Sequence, residues 1–379
     1  MSISCRAAIL TAAGIAATVV HAGEETRIAD IVRPHVERHE LAGAVVLVTS
    51  RDKVLSFDAV GYADVATKAP MRKDTLFWIA STGKPFVGTA LMMLVDDGKI
   101  GLDDPVTKYL PQFSPKIGDR EPARPITIRM LLSHTSGLGW NFPLTAGASP
   151  LGEVVNGYAQ APLLHEPGSE FSYTDADINT AARVLEVVSG MSYDVFLHRR
   201  LLGPLAMKDT TFFPSQAQTA RLAKTYWINP STKVFELAPA NAARRFVDPA
   251  GGLFSTANDL ERFCRMLLNG GKLRGRRYMS EPALKEMTRS QLSPEAFSKF
   301  PQPGGMDGLL GYGLGWGVSL AGAFFHPGLV STDIHFDATR TIAVVWLLQH
   351  ADWSTFPIRA EVVTAAQQRF VRRAKPTSN

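Results

Sequence analysis

A chain of 379 residues with 45% hydrophobic content is long enough to bury a full core in one or two intimately packed domains, which excludes a disordered or fibrous chain. The charged fraction is 20% and the net charge +5, with the basic residues scattered rather than gathered into a stripe that could follow a phosphate backbone, so nucleic acid is set aside as a partner. The densest basic run, Arg372-Arg373-Ala374-Lys375, sits beside Pro376 and Ser378 and reads as a solvated tail.

The first residues have the pattern of a secretory signal. Arg6 ends a short positive region, Ala7 to Val20 is an apolar run too short to span a bilayer, and Val20-His21-Ala22 supplies small residues for cleavage after Ala22. The expectation is an exported protein, periplasmic or extracellular, with a signal peptide over 1–22 and no later apolar run long enough for a membrane span. Cleavage would remove Cys5 and leave Cys264 alone, so no intramolecular disulfide is expected.

Beyond the signal, Glu24 to Glu40 carries Ile28, Ile31, Val32 and Val36 at helical spacing, and Ala42 to Ser50 follows as a β-branched run. The middle of the chain predicts helices over Lys84 to Asp97, Ile128 to Ser133, Asp177 to Ser189, Tyr193 to Leu202, Ala257 to Asn269 and Glu281 to Arg289. Near the far end, Tyr312 to Leu320, Ala323 to Pro327, Val330 to Asp337 and Thr341 to Gln349 read as strands, and Phe356 to Arg372 as a closing helix. This order gives an α+β chain. An antiparallel sheet takes strands from both chain ends (about 23–65 and 310–379), flanked by the N- and C-terminal helices, and a mainly helical lobe (about 66–309) is inserted. Asn141 to Glu170 and Ile228 to Asp248 show little periodicity and read as long loops, lids or site walls, in which Trp140, Phe142, Trp227 and Phe246 could line a pocket.

The sharpest chemical signal is Phe77-Trp78-Ile79-Ala80-Ser81-Thr82-Gly83-Lys84, running directly into an apolar helical stretch. Three residues apart at the start of a helix, Ser81 and Lys84 project from nearly the same face. The Ser81 N–H is then among the unsatisfied donors of the first turn. A lysine partly desolvated beside a serine hydroxyl can help take its proton. By contrast His35 and His39, one turn apart, lack the order of a zinc-protease motif and a third ligand, and read as a solvated helix face.

Several further stretches occur in order along the chain. They are Leu102-Asp103-Asp104-Pro105-Val106 with Tyr109-Leu110-Pro111, then Ile126 to Leu138 ending in Ser133-His134-Thr135-Ser136-Gly137-Leu138, then Pro167-Gly168, Phe171-Ser172-Tyr173, Gly203-Pro204-Leu205 and Gly251 to Thr256. With the Ser81 motif, this series resembles the serine β-lactamase and penicillin-binding-protein family, including class C β-lactamases, family VIII-type esterases and D-aminopeptidases.

The resemblance implies that Ser81 is the nucleophile, and that Tyr173 of Tyr173-Thr174-Asp175 exchanges its proton with help from Lys84. It implies that Asp175 stands where the family places an asparagine. A carboxylate there is acceptor-only when ionised and could hold Lys84 charged, which turns the reading towards esters or peptides and away from β-lactams. The resemblance also maps the wall strand of the site onto His326-Pro327-Gly328. Gly328 is expected to let substrate backbone lie close, Leu329 to supply an oxyanion N–H beside that of Ser81, and His326 to make local charge sensitive to pH near 6 to 7. His134 is expected to shape a loop. The implied activity is two-step acyl transfer on a small-molecule ester, D-amino-acid peptide or β-lactam, without metal or organic cofactor. A binding or sensor protein that acylates without turnover is the alternative.

Overall fold

The computed structural model describes residues 27–139, 150–229, 231–238, 246–299, 311–351 and 355–371. The expected signal segment 1–22, Trp140, Phe142 and the basic run 372–375 lie outside these residues. Helix α1 (Ile28–Glu37) leads into β1 (Gly43–Ser50) and β2 (Val54–Asp64), a hairpin whose second strand pairs with the short β3 (Ala69–Pro70). The inserted lobe then runs through β4 (Phe77–Trp78), α2 (Lys84–Asp96), α3 (Ile128–Leu132), α4 (Leu151–Gln160), α5 (Asp175–Ser189), α6 (Tyr193–Leu197) and α7 (Gln216–Thr219). It continues with β5 (Tyr226–Ile228), β6 (Phe235–Leu237), β7 (Phe254–Ser255), α8 (Ala257–Leu268), β8 (Lys272–Leu273), β9 (Arg276–Arg277), α9 (Glu281–Met287) and α10 (Pro294–Ser298). The chain returns to the sheet in β10 (Gly311–Tyr312), β11 (Gly317–Val318), β12 (Phe324–Pro327), β13 (Asp333–Phe336) and β14 (Ile342–Leu347), and α11 (Phe356–Phe370) closes it.

The strands of both ends form one antiparallel sheet of eight, in the order β10-β11-β12-β13-β14-β1-β2-β3. The central pair shows why two covering layers are needed. β1 is buried along nearly its whole length, and its alternate residues divide between two cores: Val45 and Leu47 face the helical lobe, while Val46 and Val48 face the terminal helices. β14 repeats the alternation in register, Val345 and Leu347 on one side and Val344 and Trp346 on the other. On the outer face, Ile28, Ala29 and Val32 of α1 pack with Ile358, Val362 and Val363 of α11. A run of β-branched residues with both faces covered reads as a continuous apolar strand, which is the pattern of Ala42 to Ser50.

Helix α2 runs through the middle of the lobe, buried from Lys84 to Leu94. At Gly88 it meets the backbone between β10 and β11, where a side chain's Cβ would fall 2.2 Å from the Leu314 carbonyl oxygen. Only glycine permits that approach.

Some expectations need correction, and one strand was not anticipated. Tyr312 to Leu320 forms two strands rather than one, because Gly315 turns at φ +80° between β10 and β11. Val330 to Asp337 contributes only β13, since a turn closed by Gly328 N–H to Thr332 O, 2.7 Å, takes up its start, with Ser331 at φ +63°. Within the supposed loops lie a ten-residue helix, α4, which buries Leu151, Val155 and Tyr158, and a short strand, β6. Val54 to Asp64, half-buried along its length, is a full strand beyond Arg51.

Candidate active site

Ser81 lies in a single 3₁₀ turn, Ala80–Gly83, with α2 starting only at Lys84. Backbone bonds anchor the approach to that turn: β4 pairs with β7, and the Ile79 N–H donates to Leu253 O at 2.9 Å. The Trp78 indole N–H reaches Gly251 O, and the Gln349 side-chain amide reaches Trp78 O. Ala80, just before the serine, sits at φ +47°, a left-handed conformation that costs a non-glycine residue about 1–3 kcal/mol and persists only when its surroundings enforce it.

Lys84 is fully buried, and its ammonium donates three hydrogen bonds: to Ser81 Oγ at 2.9 Å, to Asp175 Oδ1 at 2.7 Å and to Ala250 O at 2.9 Å. All three donors are satisfied, as a buried ammonium requires. Burial by itself would lower the Lys84 pKa, but the Asp175 carboxylate and the Tyr173 phenol outweigh it and raise the pKa above its usual value. Asp175 starts α5, directly after Thr174, whose Oγ1 caps the helix by accepting the Ala176 N–H. Ala250 is fixed from the same helix, its N–H donating to Asn179 Oδ1.

Tyr173 precedes that cap. Its ring lies 4.8 Å from the Lys84 ammonium, and its hydroxyl is within hydrogen-bonding reach of Lys84 and Ser81. Burial raises the phenol's pKa and Asp175 adds to this, while Lys84 opposes both. Ser81, Lys84, Tyr173 and Asp175 thus meet at one point, where α2 and α5 begin side by side.

His326, Gly328 and Leu329 are brought to the same turn by β12. Thr82 Oγ1 donates to His326 O, Thr332 Oγ1 donates to Ile79 O at 2.9 Å, and the two hydroxyls lie 2.9 Å apart. These bonds stitch the serine turn to the turn after β12. A Cβ at Gly328 would fall 2.3 Å from Thr332 Oγ1 and 2.5 Å from Ile79 O. Gly328 thus has a reason that the sequence did not supply: this chain's own Ile79 and Thr332 lie close against it. Leu329 is half exposed, and among the described residues neither its N–H nor that of Ser81 donates to a backbone acceptor.

The expected sensitivity of His326 to pH near 6 to 7 is corrected. The ring is buried, its Nδ1–H donates to Pro327 O at 2.9 Å, and its Nε2 accepts the Tyr312 hydroxyl at 2.8 Å. Burial first, then the nearby Lys84 charge, push its pKa down to about 3. The imidazole stays neutral through the physiological range and offers no cation to a substrate.

Sequence reasoning missed Tyr312, Thr82, Thr332 and Ala250, none of which has a chemical type or spacing that marks it. Phe246 and Val247 line a cavity of about 560 Å³ with Leu151 and Phe213.

A family model described as Beta-lactamase matches residues 28–368. Among curated proteins, Protein Rv1367c of Mycobacterium tuberculosis is 31% identical, over 88% of this chain and 94% of its own length. Esterase EstB of Burkholderia gladioli is 35% identical over 50% of this chain and 52% of its own. Among solved structures, EstCE1, described as a hydrolase with promiscuous acyltransferase activity, is 27% identical with a TM-score of 0.75, covering 90% of this chain and 97% of that one. Unliganded simvastatin synthase, LovD, from Aspergillus terreus shares the fold at a TM-score of 0.77 and 20% identity, covering 91% and 98%.

Proposed function

The chain belongs to the Beta-lactamase family, and from that membership we propose that it is a serine acyl hydrolase with Ser81 as nucleophile and a neutral ester as substrate. The observation that carries the reading is the buried Lys84 ammonium, bonded at once to Ser81 Oγ and Asp175 Oδ1. Ser81 attacks the ester carbonyl and passes its proton to Tyr173, whose phenolate the Lys84 charge stabilises. The Ser81 and Leu329 N–H groups receive the oxyanion, the alcohol leaves with a proton returned through Tyr173, and water releases the acid from the acyl-enzyme.

Two features support an ester without a carboxylate near the reacting carbonyl. Among the described residues around Ser81, the Lys84 cation is neutralised by Asp175, and His326 is neutral. An anionic substrate such as a β-lactam would find no free positive charge among these described residues. The esterase and hydrolase relatives agree with this reading. Export through the 1–22 signal would place the enzyme in the periplasm or outside the cell.

Hydrolysis of p-nitrophenyl butyrate by the wild type and S81A, from pH 5 to 9, tests it. Turnover in the wild type, reduced on the order of 10³-fold or more in S81A, is the expected outcome. Equal rates in the two would exclude Ser81. A single burst of nitrophenol without turnover would instead favour an acylating sensor, a role that fits a Lys84 held charged by Asp175 and so slow to help water in deacylation.

A further inference from the structure

Beneath the Tyr173 ring lies a second polar pair that the proposed proton transfers do not use. His134 and Asp177 are both wholly buried, with His134 Nδ1 3.1 Å from Asp177 Oδ2. The groups around them limit where the shared proton can sit. Asp177 Oδ1 accepts the Ser136 hydroxyl, whose oxygen in turn accepts the Leu138 N–H. His134 Nδ1 is approached by the Thr174 N–H at 3.4 Å, a long contact that a nitrogen bearing a lone pair accepts and a protonated one does not, the lone pair then being shared with Asp177. With Nδ1 an acceptor, the bond to Asp177 needs its hydrogen on the carboxyl.

The opposite arrangement, Nδ1–H facing a carboxylate, has two costs. It sets the Thr174 N–H against another N–H, and it leaves a buried carboxylate whose nearest described partners are uncharged. Among the described residues His134 Nε2 has no hydrogen-bond partner. If it carries the ring's proton, that N–H can rest on aromatic faces: Tyr312 is edge-on at 4.9 Å between centroids and Tyr173 is tilted at 4.5 Å.

We propose that Asp177 is a neutral carboxylic acid that donates to His134 Nδ1, and that this bond makes the pair the positioning element for Tyr173, fixing the ring on which the phenol lies so that its hydroxyl meets Ser81 and Lys84. Burial favours the uncharged form of both partners, raising the Asp177 pKa and lowering that of His134, with the charge of Lys84 adding to the effect on the imidazole. A neutral pair suits this place. A carboxylate beneath Tyr173 would oppose the phenolate that the reaction has to form, whereas an uncharged pair holds the ring without that penalty. The pair also ties both chain segments to the ring: His134 O accepts the Ser172 N–H, and Asp177 lies in the first turn of α5.

The positioning role rests on the acyl-hydrolase reading, whereas the place of the proton does not, so two readouts are taken together. Infrared difference spectra of wild type minus D177N at pH 7 should show the carbonyl band of a protonated carboxylic acid; a carboxylate band in its place overturns the proposal. In hydrolysis of p-nitrophenyl butyrate, D177A should lose about tenfold or more in kcat with KM nearly unchanged. D177N keeps a donor for His134 and an acceptor for Ser136, and should recover to within about threefold of wild type with an unshifted pH profile. If Asp177 were ionised, D177N would instead move the profile to lower pH, because a negative charge near Tyr173 would be gone; that shift, or a D177N as impaired as D177A, contradicts the proposal. Absence of turnover in the wild type would sink the hydrolase reading and with it the positioning role, while the infrared band would still decide where the proton is.

Discussion

The chemistry of single residues here is set by how each buried charge is compensated. Lys84 is the clearest case: desolvation alone would lower its pKa, yet the carboxylate of Asp175 at 2.7 Å, with the Tyr173 phenol, raises it above the ordinary value. In the proposed mechanism Ser81 therefore does not hand its proton to Lys84 in the resting state, and the reactive form would be the one in which the coupled Lys84–Tyr173 pair has lost a proton. Both groups are raised above ordinary values of 10.5 and 10.0, so that form is a minority at neutral pH and grows as pH rises. The expected kcat/KM profile climbs continuously from pH 6 to 9, without an inflection near 6.5, because His326 does not titrate there. D175N removes the charge that holds the ammonium, lowers the Lys84 pKa and should move the climb to lower pH. A profile that levels off near 6.5 in both proteins would assign the base to an imidazole instead.

At the scale of elements, the site is a junction between the serine turn, the start of α5 and the turn after β12, and its precision depends on contacts among backbones. Gly328 is the tightest of these, with Ile79 O and Thr332 Oγ1 filling the space of its missing side chain. G328A would push the β12 turn away from Ile79, parting the Leu329 N–H from the Ser81 N–H. A destabilisation of about 1–3 kcal/mol is expected, as for other overpacked sites, together with a fall in kcat of about tenfold or more. Thermal unfolding and turnover measured on the same preparation test this, and an unchanged G328A would mean that the two turns are not docked. The sequence could show that a glycine was wanted after His326-Pro327, but not what lay against it. Likewise Asp177, an acid in the first turn of a helix, has the pattern of a solvated residue that complements the helix dipole, and only packing reveals that it points inward.

For the whole molecule, the sheet was legible because its central strands are buried on both faces, so that Ala42 to Ser50 and Thr341 to Gln349 stand out as apolar runs rich in β-branched residues. The union of the two chain ends followed from where those runs lie. The order of short motifs along the chain pointed to one family before any geometry was known, and the family match over residues 28–368 agrees. Less legible were elements shaped by their neighbours. α4 was hidden within a stretch of glycine, proline and alanine, β10 and β11 are two residues each, and β2 is only half-buried, so its apolar residues do not stand out. The result is a three-layer body in which α2 carries the serine turn to the place where the sheet and the helical lobe meet, and the central claim is that this junction makes Ser81 the one acylated residue. Labelling with an alkyl fluorophosphonate, read by intact mass and peptide mapping, tests that claim most directly. One equivalent of label on Ser81, blocked by competing p-nitrophenyl butyrate and absent from S81A, is the predicted result; labelling at another residue, or ester turnover that continues in the fully labelled or S81A protein, would contradict it.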